Sequence, residues 1–324
     1  SGNARPQRNP ARTMRKQTLL LTTPDNHQIN ATLFEPEPSP NCCLIISHGM
    51  AEHGDRYAAL ASWLADQGVA VISYHHRGHG PGSGHPGHYA DSDGWQKVVD
   101  DLNQVVHCAR EQMPGIPVAL LGHSMGSFIA QSYAQQYGQN LDTLILSATN
   151  RIHTAELRFS LLLVRLIRAL RGQRHASKTI ARMTFGKFNR MFKPNRTPCD
   201  WLSRDPHQVD LYLADPWCGF ECTTGLWQDF IQGMLSINPA QWRPDLPVHL
   251  FAGTDDPVGE MGKGIRRHFQ AIREAGVQQV TLRLFEGGRH ETLNETNADV
   301  VWQHLLQCLP GREQSLRRNQ ALAG

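Results

Sequence analysis

Between residues 42 and 147 the chain alternates two rhythms. Near-continuous apolar runs at 42–46, 69–74, 118–121 and 141–147 read as strands covered on both faces. Between them, residues 57–67 and 95–111 place apolar side chains at helical spacing, so the segment predicts a parallel sheet flanked by helices. Ahead of it, residues 18–22 and 28–34 alternate polar and apolar around Pro24-Asp25-Asn26, the pattern of an antiparallel hairpin. From 150 to 241 the rhythm breaks into helical periodicity rich in arginine and interrupted by proline and tryptophan. Strands resume at 248–252 and 280–285, with helices over 263–275 and 299–309. The predicted fold class is α/β, a mostly parallel central sheet with helices on both faces and an inserted helical cap. The predicted organisation is a basic disordered arm (1–16), a first core part (17–149), the cap (150–241), a second core part (242–310) and a flexible tail (311–324).

Charge changes this picture little. The formal charge is +3, and setting aside the first sixteen residues (+5) and the last thirteen (+2) leaves −4 for the body. A nucleic-acid-binding face is therefore not expected. No apolar run approaches the roughly 20 residues that a bilayer crossing needs. Seven cysteines, an odd number with Cys42 and Cys43 inside a predicted buried strand, point to reduced thiols. With no apolar segment before Thr18 to act as a secretory signal, the expected location is cytoplasmic, with peripheral contact at the inner membrane surface.

The chemistry gathers at strand ends, where open parallel sheets bind ligands. Leu120-Leu121-Gly122-His123-Ser124-Met125-Gly126 runs from a strand into a helix and carries the Gly-x-Ser-x-Gly pattern of a nucleophile elbow. A serine hydroxyl needs a base within hydrogen-bond reach, and that base needs a carboxylate to orient it. Two later strand ends offer them. Thr254-Asp255-Asp256-Pro257 supplies adjacent carboxylates, of which Asp256 stands where a Gly-x-x-Asp pattern counted from Gly253 puts the acid, with Asp255 as the alternative. Gly287-Gly288-Arg289-His290-Glu291 supplies the histidine, His290. His123, beside Ser124, reads as structural. Donors for a developing oxyanion are expected from the backbone N–H groups of Met125 and of Met50, the latter in the His48-Gly49-Met50 turn. The histidine-rich stretch His75, His76, His79, His85 and His88 lacks the paired spacing of zinc ligands, and no metal is expected. Wound as a helix, residues 156–171 put Phe159, Leu162, Leu163, Leu166, Ile167 and Leu170 on one face and Arg158, Arg165, Arg168 and Arg171 on another. Phe159, Leu163 and Leu166 are accordingly candidates to line an acyl-chain channel, or the helix rests on a lipid surface with its arginines toward phosphates.

Together, His48-Gly49-Met50-Ala51-Glu52-His53 with Arg56-Tyr57, Arg77-Gly78-His79-Gly80, the Ser124 elbow, Asp256, His290-Glu291 with Asn294-Glu295, Leu202-Ser203-Arg204-Asp205-Pro206 and Asp215-Pro216 resemble the monoglyceride lipase and bacterial lysophospholipase branch of the α/β-hydrolases. The likeness runs from about residue 18 to 309. One departure is His75, where relatives commonly carry aspartate. The resemblance implies the α/β-hydrolase fold and hydrolysis of a monoacyl lipid ester beneath a mobile cap, without a cofactor. A short-chain esterase or peptidase with the same three residues, or a catalytically silent binding protein on this fold, are the alternatives. Oligomeric state is left open.

Overall fold

The computed structural model describes residues 13–312. Eight strands form one sheet: β1 (Met14–Thr22), β2 (Gln28–Pro36), β3 (Cys42–Ser47), β4 (Val69–Tyr74), β5 (Val118–His123), β6 (Thr143–Ser147), β7 (Val248–Gly253) and β8 (Val280–Phe285). Their order is β1-β2-β4-β3-β5-β6-β7-β8, with β3 to β8 parallel and the β1–β2 hairpin joined antiparallel to β4.

The apolar runs are continuous because each strand serves two cores. In β3, Cys43 and Ile45 face one core and Leu44 and Ile46 the other. On the first face lie α2 (Gly94–Gln112) and α3 (Met125–Tyr137); on the second lie α1 (Ala58–Asp66) and the last helix. The seven cysteines are all free thiols.

Two chain-end boundaries differ from the sequence reading. Residues 14–16, assigned to a disordered arm, are the first rungs of β1: Arg15 pairs with Glu35 at 2.7 Å, and the Lys16 ammonium lies 5.4 Å from the Phe34 ring centroid. This end of β1 is an edge exposed to water, so it carries no apolar alternation to signal a strand. Gly311 and Arg312, assigned to the tail, are also described, and Arg312 donates to the Gln67 carbonyl at 3.0 Å. The remainder of both predicted ends, 1–12 and 313–324, lies outside the described residues.

Between β6 and β7 the chain is helical, without a sheet strand. It holds α4 (Thr154–Arg171), the short α5 (Lys178–Ala181) and α6 (Lys187–Arg190), then α7 (Pro206–Ala214) and α8 (Thr224–Leu235). Local sequence starts three of these: Ser177 accepts from the Ile180 N–H of α5, Asp205 from the His207 N–H with Pro206 in the first turn of α7, and Thr223 from the Leu226 N–H of α8. Helix α8 buries Leu226, Trp227, Phe230 and Ile231 in the first core, and α4 packs on α8 through Leu161 and Val164. The chain ends its described part with α9 (Lys263–Glu274) and α10 (Ala298–Cys308) around β8.

Candidate active site

Ser124 sits between β5 and α3 at φ 53° and ψ −119°. That backbone region is sparsely populated by non-glycine residues and persists only where neighbours enforce it. Here its N–H donates to the Ser147 carbonyl at 2.9 Å, and its own carbonyl accepts from the Ser127 N–H at 2.8 Å. A Cβ at Gly126 would collide with the carbonyls of Ser47 and His48, and one at Gly122 with the Gly126 carbonyl. The two glycines therefore let α3 start directly against the loop that follows β3.

Asp256 and His290, from loops after β7 and β8, meet at the same end of the sheet. Nδ1 of His290 lies 3.0 Å from Oδ1 of Asp256, both side chains are buried, and the same carboxylate oxygen accepts from the Val258 N–H at 3.0 Å. The loops can approach because Gly253 lacks a Cβ, which would strike the Gly288 carbonyl. Asp255 lies outside this contact, its N–H tied to the Gly288 carbonyl at 2.9 Å. Burial pulls the His290 pKa down, but the charge and hydrogen bond of Asp256, with smaller contributions from Glu291 and Glu52, hold it above the ordinary histidine value.

Around this pair lie groups that sequence reading did not single out for the site. The His123 ring is 5.0 Å from that of His290, with Nδ1 at 3.0 Å from the Ser147 hydroxyl; burial and the neighbouring His290 depress its pKa to about 3, so it stays neutral. Arg56 donates twice to Glu291, at 2.7 and 2.9 Å, and lies 3.6 Å from Glu52. Burial raises the Glu52 carboxyl above its usual range, while in Glu291 the Arg56 charge outweighs burial and keeps the carboxyl below it. The His48-Gly49-Met50-Ala51-Glu52-His53 and His290-Glu291 motifs contain these carboxylates, but their meeting across 239 residues is a tertiary fact.

The histidine-rich stretch frames the loop that carries Met50. His48 Nε2 accepts from the His76 N–H at 3.0 Å and its Nδ1 donates to the Gly49 carbonyl at 2.8 Å. His79 Nε2 accepts from the Ala51 N–H at 3.1 Å, and His75 Nδ1 from the Gly54 N–H at 3.1 Å. Burial lowers the pKa of His48, His75 and His79, which suits rings that must accept as neutral bases. Met125 is buried at the first position of α3, its sulfur 2.9 Å from the Tyr89 hydroxyl, and Met50 is half-buried.

Among the described residues, two groups bring three possible metal donors together, His53–Asp215–Cys218 and Glu52–His123–Glu291. In the first, His53 and Asp215 are hydrogen-bonded at 2.6 Å, closer than the roughly 3.3 Å between two donors on one tetrahedral zinc. In the second, the Arg56 guanidinium already occupies the carboxylates. None of the five histidines from 75 to 88 belongs to either group.

The helix α4 is rotated from its expected role. Phe159 is 63% exposed and Leu166 57%, and Leu163 is also exposed, so none of the three lines an enclosed channel. Leu161 and Val164 are the side that packs inward. Leu161 and Val164 lie on the side of the helix away from Phe159, and that side is the one that packs on α8.

A sheet in this order, turning out of its fifth strand through a strained serine, defines an α/β-hydrolase. Residues 38–297 match the model of the Hydrolase_4 family, described as serine aminopeptidase, S33, and the chain belongs to that family of hydrolases. It is 28% identical over 292 residues to a monoglyceride lipase of Rattus norvegicus, covering 88% of this chain and 87% of the relative. Among solved structures it is similar to a thermostable carboxyl esterase from Bacillus coagulans in complex with glycerol, with a TM-score of 0.84, 26% identity, and coverage of 91% and 98%. A soluble variant of the Saccharomyces cerevisiae monoglyceride lipase, in complex with a substrate analogue, shares the fold at a TM-score of 0.71 and 18% identity, with coverage of 93% and 96%.

Proposed function

We propose that this chain is a serine carboxylester hydrolase of single-chain lipids, of the monoacylglycerol or lysophospholipid type. The observation that carries the reading is the buried Asp256–His290 pair at 3.0 Å at the sheet end that also holds the strained Ser124 elbow. In this reading Ser124 Oγ attacks the ester carbonyl, and His290 takes its proton at Nε2, the nitrogen not engaged by Asp256. The carbonyl oxygen becomes an oxyanion held by the N–H groups of Met50 and Met125. The bond to the alcohol breaks as His290 returns the proton to the leaving oxygen, and water then repeats the sequence on the acyl-enzyme. The lipid preference draws support from the relatives named monoglyceride lipase and from the exposed apolar face of α4. That face also supports transient contact of the insert with a membrane surface.

Replacing Ser124 with alanine abolishes turnover of p-nitrophenyl dodecanoate while circular dichroism is unchanged; retention of more than a few per cent of activity rejects the serine. The family description also names a peptidase, and chain length separates the readings. Dodecanoate esters are expected to exceed acetate esters in kcat/KM by at least tenfold, and equal values would reject the lipid assignment.

A further inference from the structure

The aromatic ring lying nearest the His290 imidazole, with centroids 4.9 Å apart and planes at 34°, is Trp201, and Trp201 belongs to the helical insert. Resting on the reading of His290 as general base, we propose that Trp201 is a positioning residue that fixes the imidazole plane, with Glu295 as the clip that keeps it in register.

Asp256 fixes His290 at one nitrogen only, so the freedom of the ring to swing about that contact depends on what packs against it, His123 at 5.0 Å and Trp201 at 4.9 Å. Trp201 removes this freedom and is itself immobilised. Its ring stacks on Phe185 at 5.8 Å and 16° and lies 5.3 Å from Phe188, and its backbone N–H donates to Asn189 Oδ1 at 3.1 Å. The two backbones are joined as well: the His290 N–H donates to the Trp201 carbonyl at 3.2 Å and the Glu291 N–H to the Leu202 carbonyl at 2.7 Å. Arg289 donates to the Asp200 carbonyl at 2.7 Å. Across this seam sits the fully buried carboxylate of Glu295, accepting from the Arg204 N–H and the Arg289 N–H, both at 3.0 Å, and from the Thr296 N–H at 2.9 Å. One carboxylate thus holds the insert segment and the histidine loop at once. Residues 200–204 are thus tied to the histidine loop through backbone and side chain alike. A misplacement of about 1 Å in a reacting group can cost on the order of a hundredfold in rate, so the lock bears on chemistry as well as on folding.

The test compares Trp201→Leu, which removes the ring, with Trp201→Phe, which keeps a π face, on a soluble p-nitrophenyl ester. Expected for Trp201→Leu is a fall in kcat of about 10- to 100-fold with KM within twofold, together with loss or broadening of the low-field imidazole proton shared with Asp256. Trp201→Phe is expected to recover kcat to within about threefold of the parent. A kcat for Trp201→Leu within twofold of the parent, a loss carried by KM, or a Trp201→Phe no better than Trp201→Leu overturns the assignment. Should Trp201→Leu not fold, Trp201→Met fills the volume without a π face and is judged by the same figures. In the unmodified protein, an NOE between the His290 Cε1 proton and the Trp201 indole is expected, and its absence overturns the contact itself. Ser124→Ala run in parallel separates the two readings. If it stays active the general-base reading fails; if it is dead while Trp201→Leu is fully active, the positioning role alone fails.

Discussion

The backbone of Ser124 occupies a region that costs a non-glycine residue about 1–3 kcal/mol, and the surrounding bonds keep it there. Strain of this kind presents the side chain on the outside of a turn, away from its own backbone. The partner residue has an electrostatic signature. His290 must be neutral to accept a proton, and its pKa in the folded protein is raised, so activity is present above that pKa and lost as pH falls through it. The acid limb of kcat/KM is therefore expected above 6.5, measured on a soluble ester between pH 5 and 9. With Asp256→Asn the supporting charge is gone, and the limb is expected to move to lower pH with kcat reduced by at least a hundredfold. A limb that stays put in that variant would contradict the pairing.

At the scale of elements, α4 departs furthest from an ordinary surface helix. Its exposed side carries Phe159, Leu162, Leu166 and Leu170 beside Arg158, Arg165 and Arg171. From residue 151 to 197 there are twelve arginines and lysines and one acid, Glu156. No helix among the described residues is long and apolar enough to cross a membrane. An apolar face ringed by cations suits the interface of an anionic bilayer, where each basic residue contributes about 1 kcal/mol at low salt. Binding to vesicles of phosphatidylglycerol and phosphatidylcholine is expected to exceed binding to phosphatidylcholine alone, and to weaken at least tenfold in 0.5 M salt. The double variant Leu162→Ser/Leu166→Ser should lower binding and vesicle-borne ester hydrolysis by at least fivefold and leave p-nitrophenyl acetate hydrolysis within twofold. Sedimentation with vesicles measures the first and a coupled assay the second.

For the whole molecule, the sheet is the rigid body against which every candidate site residue is aimed. Ser124, Asp256 and His290 leave three different strands, and their spacing depends on parallel pairing of β5 through β8 without slippage. For β5 to β7 register is secured by burial on both faces, because a one-residue shift would exchange the two cores, while β8 is half-buried and takes its register from pairing with β7. Ile45, fully buried at the middle of β3, is the kind of residue that carries this load. Ile45→Ala is expected to lower unfolding free energy by about 2–5 kcal/mol, measured by urea denaturation. An effect below 1 kcal/mol would mean that the centre of the sheet is not under packing constraint.

Much of this was legible in the order of residues. Strands β3 to β8 and the helices between them follow from apolar runs and helical spacing, since both are periodicities of the covalent chain. Ser124 and its glycines follow from local sterics, and the pattern counted from Gly253 favoured Asp256 over Asp255 before any packing was known. The edge half of β1 was invisible because its stabilising partners, Glu35 and Phe34, lie on another strand. For α4 the sequence left two outcomes open, a channel lining or a lipid-facing side, because a helix wheel ranks apolar faces and cannot say which one finds a neighbour. Trp201 beside His290, Arg56 between Glu52 and Glu291, and three neutral histidines cradling the Met50 loop came from folding alone. Apart from Arg56 and Glu52, four positions apart, these contacts join residues tens to hundreds of positions apart, and a linear pattern carries information about neighbours in the chain, whereas orientation and charge depend on neighbours in space.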